Sequence, residues 1–192
     1  MRMGLGLGLG YSQAGAAQAI KNAVDLGVLL AGLVERHEKT ADGDRITLIM
    51  PAWRAILGVV TNDRNALFNI AWRDLEKLIA AKYDAEGYDT VILTPRKGDH
   101  GRDVIAEKHG SKVRIFDQVK AYGKGKLVPA DDVRALMGVV AHSDATKGVV
   151  TTTSDFAPLL RQDPFIKNAI DGGLELVNGD KLLKRLRELK QK

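Results

Sequence analysis

The segment GRDVIAEKHGSKVRIFDQVKAY, residues 101–122, places the strongest limit on how this chain folds. Two stretches rich in β-branched and aromatic residues, 102–107 and 112–122, flank the short polar sequence KHGSK. This pattern predicts two antiparallel strands joined by a tight turn. Gly110 and Ser111 are expected at its centre, with Gly110 in the first central position of a type II′ turn, whose twist suits a hairpin.

A turn with this centre sets the register of the two strands. Glu107 then lies opposite Arg114, which allows a cross-strand ion pair, and Asp103 lies opposite Gln118. A shift of one residue would break the ion pair and exchange the two faces of the strand. A four-residue turn with the same centre keeps the register, whereas a three-residue turn does not.

The register gathers polar side chains on one face of the predicted sheet. Because side chains alternate along a strand, Asp103, Gln118 and Lys120 share a face, while Asp117 points to the opposite one. A carboxylate oxygen, an amide oxygen and an ammonium then lie together, and oxygen ligands suit Mg²⁺. The alternative is that Asp103 is a turn residue at a strand end and Lys120 a surface lysine.

The rest of the chain predicts an α/β fold with a mixed central β-sheet flanked by helices. Strands are expected at 45–50, 90–95, 102–107, 112–122, 147–154 and 174–179, and helices at 15–36, 51–60, 72–87, 130–142, 157–170 and from 180 onward. Three consecutive strands favour an antiparallel meander, and the later alternation of helices and strands favours a further strand that joins in parallel.

Composition narrows the chemistry and the partners. The 192 residues include no cysteine, which excludes disulfides and thiol catalysis and fits a cytoplasmic protein. The formal net charge of +5 permits nucleic acid as a partner. Basic residues concentrate at 181–192, where they line either a solvated helix face or a face that contacts DNA. No apolar run reaches the ~18 residues of a membrane span, so no membrane partner is expected.

Longer segments follow the motif order of one family. They are LEKLIAAKYDAEGYDTVILTPRKGDHGRDVIAEKHGSKVRIFDQVKAY, DDVRALMGVV, KGVVTTTSDFAP and LELVNGDKLL. Together they resemble the catalytic domain of Mrr-like restriction endonucleases, in the PD-(D/E)xK nuclease superfamily, over about residues 72–190. The resemblance implies a restriction-endonuclease-like sheet and a metal-dependent nuclease. We therefore expect a nuclease domain at 61–192, after an extension at 1–60 of unknown role with a flexible start and then a helix.

The resemblance assigns roles to individual residues. Asp103 matches the metal-binding aspartate, and Gln118 and Lys120 match a Q-x-K variant of the usual motif. Glu76 matches a helix glutamate that extends the metal site, although its helical position alone would place it at a solvated edge. Lys120 would orient or help deprotonate the attacking water, or stabilise charge on the phosphorane.

Further residues are candidates for contact with DNA or with the reacting phosphate. Asp99 matches a loop aspartate of the family with no clear role, and the neighbouring His100 is a loop residue or touches phosphate. Hydroxyl groups and basic side chains often position a nucleic-acid backbone. On this basis, backbone contacts are expected from Thr152, Ser154, Tyr122 and Lys124.

These features together predict a DNA endonuclease that uses Mg²⁺ or Mn²⁺ and defends against foreign or modified DNA. Cutting both strands needs two sites, which favours a homodimer, and a partner subunit would supply target recognition. Two alternatives stay open. One is a DNA-binding or partner-binding module whose site has decayed, and the other is an interbacterial nuclease toxin in which residues 1–60 serve trafficking or immunity.

Overall fold

The computed structural model of the chain describes residues 25–95 and 101–191. The strands are β1 (Val34–Lys39), β2 (Asp44–Leu48), β3 (Thr90–Leu93), β4 (Val104–Lys108), β5 (Val113–Lys120), β6 (Leu127–Val128), β7 (Lys147–Thr152), β8 (Asp155–Phe156) and β9 (Glu175–Val177). The helices are α1 (25–31), α2 (Met50–Val60), α3 (Asn65–Phe68), α4 (Trp72–Ala85), α5 (Ala130–Ala141), α6 (Pro164–Asp171) and α7 (Gly179–Lys190), with a 3-10 turn at Pro158–Gln162.

A seven-stranded sheet has the order β1-β2-β3-β4-β5-β7-β9. Its first five strands are antiparallel neighbours, and β7 and β9 then add in parallel. The α/β class, the mixed sheet and the parallel addition after an antiparallel meander are confirmed. A separate parallel pair, β6 with β8, was not predicted from the sequence.

Helices cover both faces of the sheet and bury two hydrophobic clusters. The first cluster joins α1, α2, α4 and α7 to alternate strand residues that include Val104, Ala106, Ile115 and Val119. The second joins α5 and α6 to the intervening residues Ile105, Phe116 and Val150. Adjacent residues of β4 and β5 therefore face different helical layers, which decides where each polar side chain of β5 points.

The register of the β4–β5 hairpin is the predicted one, but its turn differs. Glu107 pairs with Arg114 in the ladder, and the two side chains form the expected ion pair. The turn has four residues, 109–112, rather than two. The positive φ of 52° falls at Lys112 and not at Gly110, so the type II′ turn is wrong. The register survives because both turns share one centre.

The N-terminal part of the described chain supplies an edge of the sheet. The predicted helix at 15–36 is wrong at its end, because β1 begins at Val34; residues 1–24 lie outside the described residues. The β1–β2 turn is tied to the hairpin by Asp42, which accepts hydrogen bonds from Arg102 at 3.0 Å and Arg114 at 2.7 Å. A Cβ on Gly43 would lie 2.2 Å from Leu93 O, so this close approach requires glycine.

Two further expectations need correction. The helical spacing of Trp72, Leu75, Ile79 and Tyr83 predicts that Trp72 lies in a buried stripe of α4, but it is 51% exposed. The helix expected at 157–170 is divided at Asp163, which caps the helix that starts at Pro164. An N-cap followed by proline at the first helical position is a strong start signal, and it ends the preceding turn.

Candidate active site

Asp103 lies just before β4 and is fixed to β5 by hydrogen bonds. Its Oδ2 accepts from the Val119 backbone N–H at 2.7 Å, and its own N–H donates to Asp117 O at 3.0 Å. These bonds place Asp103 beside Gln118, as the register requires. Its carboxylate therefore contacts β5 at the open end of the β4–β5 hairpin, away from the turn at 109–112.

Gln118 is a buried amide with one unsatisfied atom. The residue is 7% exposed, and its Oε1 has no hydrogen-bond partner among the described residues. A Cβ on Gly101 would lie 3.2 Å from Gln118 Nε2, and Gly101 adopts a φ of 77°. The glycine of the GRD sequence thus leaves room for the amide and shapes the bend before Asp103. A buried carbonyl oxygen without a partner is costly unless a ligand or water satisfies it.

Lys120 ends β5 on the same face as Gln118. Its Nζ lies 3.3 Å from Asp132 Oδ1, on α5. Its backbone oxygen accepts hydrogen bonds from the Thr152 hydroxyl at 2.8 Å and from the N–H groups of Tyr122 and Thr153. The backbone that carries the lysine is therefore well fixed, and the ammonium lies near α5 rather than near α4.

Glu76 is buried on α4, in the layer that covers the other face of the sheet. It is 2% exposed, so the interpretation as a solvated edge is wrong. Arg73 donates to Glu76 and, at 3.1 Å, to Thr94 O. The N–H of Thr94 in turn donates to Asp103 O at 3.2 Å. Glu76 is thus connected to Asp103 through the end of β3, whereas Gln118 and Lys120 lie with Asp103 on the hairpin itself.

Asp117 lies on the opposite face from Gln118, as predicted. Its Oδ2 accepts hydrogen bonds from Tyr83 at 2.8 Å and from Thr151 at 3.0 Å, so it links α4, β5 and β7. Burial raises the pKa of Asp117 to about 7, against the lowering effects of Lys82, Tyr83 and Thr151. This carboxyl group serves the packing between the sheet and α4.

The remaining candidates fall into three groups. Thr152 and Ser154 are buried, and the Thr152 hydroxyl holds the end of β5; DNA contact by them stays a prediction. Tyr122 donates to Asp132 at 3.0 Å, while Lys124 is exposed in the loop that follows. The loop residues Asp99 and His100 lie outside the described residues.

Comparison with known proteins identifies the family of the chain. Residues 67–186 match the family model of the Mrr catalytic domain, described as a restriction endonuclease. The chain belongs to this family. Membership supports a DNA nuclease, and enzymes of this kind generally use divalent metal ions. No curated protein matches the chain.

One solved structure of similar fold is the MspJI restriction endonuclease in complex with a 27-mer oligonucleotide. The match has 18% identity and a TM-score of 0.47, and it covers 75% of this chain and 33% of that chain. This chain therefore spans about a third of the length of that enzyme.

Within the described residues, no helix has the length and apolar character needed to cross a bilayer.

The side chains at the hairpin end fit a hard divalent cation of the kind that the family uses. Asp103 offers a carboxylate, and the unsatisfied Gln118 Oε1 offers a neutral oxygen. Mg²⁺ is often held by only one or two carboxylates together with water and substrate phosphate. Within 25–95 and 101–191, no three His, Cys, Asp or Glu residues form a metal-binding group, and the amide of Gln118 is outside those residue types.

Sequence reasoning missed two residues that the structure places beside the candidates. Arg73 bridges Glu76 to β3, and its position one helical turn before Glu76 was the available signal. Asp132 contacts Lys120 and Tyr122, yet in the sequence it looks like any acidic residue in the first turn of a helix. Only the packing of α5 against the end of β5 distinguishes it.

Proposed function

We propose that this chain is a divalent-metal-dependent DNA endonuclease that hydrolyses phosphodiester bonds in the cytoplasm, in defence against foreign or modified DNA. One observation carries the proposal. Asp103 and the unsatisfied Oε1 of Gln118 lie together at the open end of the hairpin, away from its turn, and Lys120 is two residues further along β5. Family membership supports the reaction class, and this geometry supports the location of the site.

Mg²⁺ or Mn²⁺ would supply a polarised water and charge neutralisation at the phosphate. Asp103 and Gln118 would hold the cation from the hairpin, and Glu76, which is linked to Asp103 through Arg73 and Thr94, would extend the site from α4. The Lys120 ammonium has three N–H donors, which would form hydrogen bonds to the phosphate oxygens or orient the attacking water. Its positive charge would stabilise the negative charge on the phosphoryl oxygens in the transition state.

Cleavage of supercoiled plasmid is the test. The purified chain is expected to nick or linearise the plasmid with Mg²⁺ or Mn²⁺ and to stop when a chelator removes the metal. Lys120→Ala should abolish cutting, whereas Lys167→Ala, at an exposed lysine on α6, should not. Comparing methylated with unmethylated plasmid then shows whether modified DNA is preferred.

Three results would contradict parts of the proposal. Undiminished cutting by Lys120→Ala would remove that residue from the site. DNA binding that weakens steeply with salt, without cleavage under any metal, would indicate a binding module instead. Equal cutting of methylated and unmethylated plasmid would argue against recognition of modified DNA. Sedimentation with and without DNA tests the homodimer, which would supply one site for each strand.

A further inference from the structure

The carboxylate of Asp132 contacts both functional groups that flank the end of β5. Its Oδ1 lies 3.3 Å from Lys120 Nζ, and its Oδ2 accepts a hydrogen bond from the Tyr122 hydroxyl at 3.0 Å. Tyr122 lies two residues after the end of β5, and its hydroxyl reaches the same carboxylate as Lys120. One helix residue therefore engages a lysine and a tyrosine that both project from the end of the hairpin.

We propose that Asp132 is a positioning residue that holds the Lys120 ammonium ready for the phosphate. The proposal rests on the proposed function, because Lys120 matters there as the cation that stabilises the reacting phosphate. Lys120 has a long flexible stem and three donors. It therefore keeps its ion pair with Asp132 while donating hydrogen bonds to phosphate or water. Ordering the side chain before DNA binds favours the productive geometry.

The alternative is that Asp132 merely complements the dipole at the start of α5. Its neighbour Asp131 occupies the same first turn and would serve the dipole equally well. The Asp131 side chain is 90% exposed and pairs with Arg134. In contrast, the side chains of Lys120 and Asp132 are only 21% and 26% exposed. Of the two aspartates in this helical turn, Asp132 contacts the candidate site and Asp131 does not.

Tyr122 supports the same geometry from its other side. By donating to Oδ2, it leaves Oδ1 directed at the lysine, so the carboxylate has one orientation. Partial burial and the hydrogen bond to Asp132 raise the pKa of Tyr122, which keeps its hydroxyl a donor. The ring of Tyr122 also lies under Lys126, whose Nζ is 4.1 Å from the ring centroid.

The experiment compares Asp132→Asn with the matched control Asp131→Asn. Asparagine keeps the volume and removes the charge, and melting temperatures establish that both variants fold. A misplaced catalytic group costs roughly 100-fold in rate. We therefore expect Asp132→Asn to lower kcat by about 10-fold to 100-fold, with KM and metal-free DNA affinity unchanged. Asp131→Asn should match the wild-type chain, and Tyr122→Phe should show a smaller loss in kcat than Asp132→Asn.

A second readout does not depend on cleavage. NMR relaxation of the Lys120 ε-methylene, assigned by its disappearance in Lys120→Arg, should show an ordered side chain in the metal-free wild-type protein. Asp132→Asn should increase its mobility, and Asp131→Asn should not. If the wild-type chain does not cut DNA, the proposed function and the catalytic value of the contact fail together, while the relaxation data still show whether Asp132 orders Lys120.

Three results would overturn the proposal. The first is an unchanged kcat in Asp132→Asn. The second is an equal effect of both aspartate substitutions, which would indicate a general electrostatic influence of the helix start. The third is a loss of kcat in Asp132→Asn without any change in the mobility of Lys120.

Discussion

Glu175 shows how neighbouring cations lower the pKa of a carboxyl group in this chain. Partial burial raises its pKa, but the hydrogen bonds from Lys147 and Lys181 and the charge of Arg185 outweigh this and lower it to about 2. A carboxyl whose pKa is lower in the folded than in the unfolded state stabilises the fold above its unfolded pKa, and this contribution is lost as the pH falls through its folded pKa.

Glu175→Gln should therefore destabilise the protein at pH 7 by on the order of 2 kcal/mol, a value discounted for the partial exposure of the group. The difference from wild type should shrink as the pH falls from about 4.5 toward 2, because the wild-type carboxyl then becomes protonated too. Urea unfolding at pH 7, 5 and 3 measures it. Glu188→Gln, at an exposed glutamate on α7, is the control. A difference that does not change with pH would refute the assignment of this pKa.

Sequence patterns predicted single residues correctly where the alternation of side chains along a strand was enough to decide the answer. The two faces of β5 separate Asp117 from Gln118, and both the turn that was predicted and the turn that forms lead to this result. The sequence pattern could not show that Glu76 is buried, because the exposure of a residue at the edge of a helical stripe depends on tertiary packing. Asp132 was overlooked for the same reason.

At the scale of elements, α4 is joined to the sheet by a buried polar contact. Tyr83 donates to Asp117, which also accepts from Thr151, so a helix and two strands meet at one carboxyl group. Tyr83 is 2% exposed and Asp117 is 1% exposed. Removing a partner from a buried polar group costs more than the hydrogen bond itself contributes, since the group stays desolvated.

Tyr83→Phe should lower the free energy of unfolding by about 1–3 kcal/mol. The matched control is Tyr88→Phe, because the Tyr88 ring packs edge-on against Tyr83 and its hydroxyl makes no hydrogen bond within the described residues. Chemical denaturation of both variants is the measurement. Equal stability of the two variants would show that the link to Asp117 contributes nothing.

The elements that sequence patterns predicted well have a clear hydrophobic period or a strong cap. In α7, Leu182, Leu183 and Leu186 recur at helical spacing, and all three are buried. By contrast, β1 exposes almost every residue as an edge strand, so VERHEK carries no alternation to recognise. The short pair of β6 and β8 depends on contacts between distant segments, which a local pattern does not record.

For the whole molecule, the β1–β2 hairpin continues the sheet that carries the candidate site. β2 pairs with β3, and Asp42 binds arginines of the β4–β5 region. A division into an extension at 1–60 and a nuclease domain at 61–192 stays a proposal, and the family match begins at residue 67. The order of layers followed from the sequence because alternating helices and strands leave few ways to cover both faces of a sheet.

The central claim is that the site uses Asp103 and the face of Gln118, while the neighbouring carboxylate of Asp117 supports packing. Metal-dependent plasmid cleavage by Asp103→Asn and Asp117→Asn tests it most directly, with melting temperatures to confirm folding. Asp103→Asn should lose cleavage, whereas Asp117→Asn keeps an acceptor for Tyr83 and should cut at a rate comparable with wild type. Loss of cleavage in a folded Asp117→Asn together with undiminished cutting by Asp103→Asn would contradict the account.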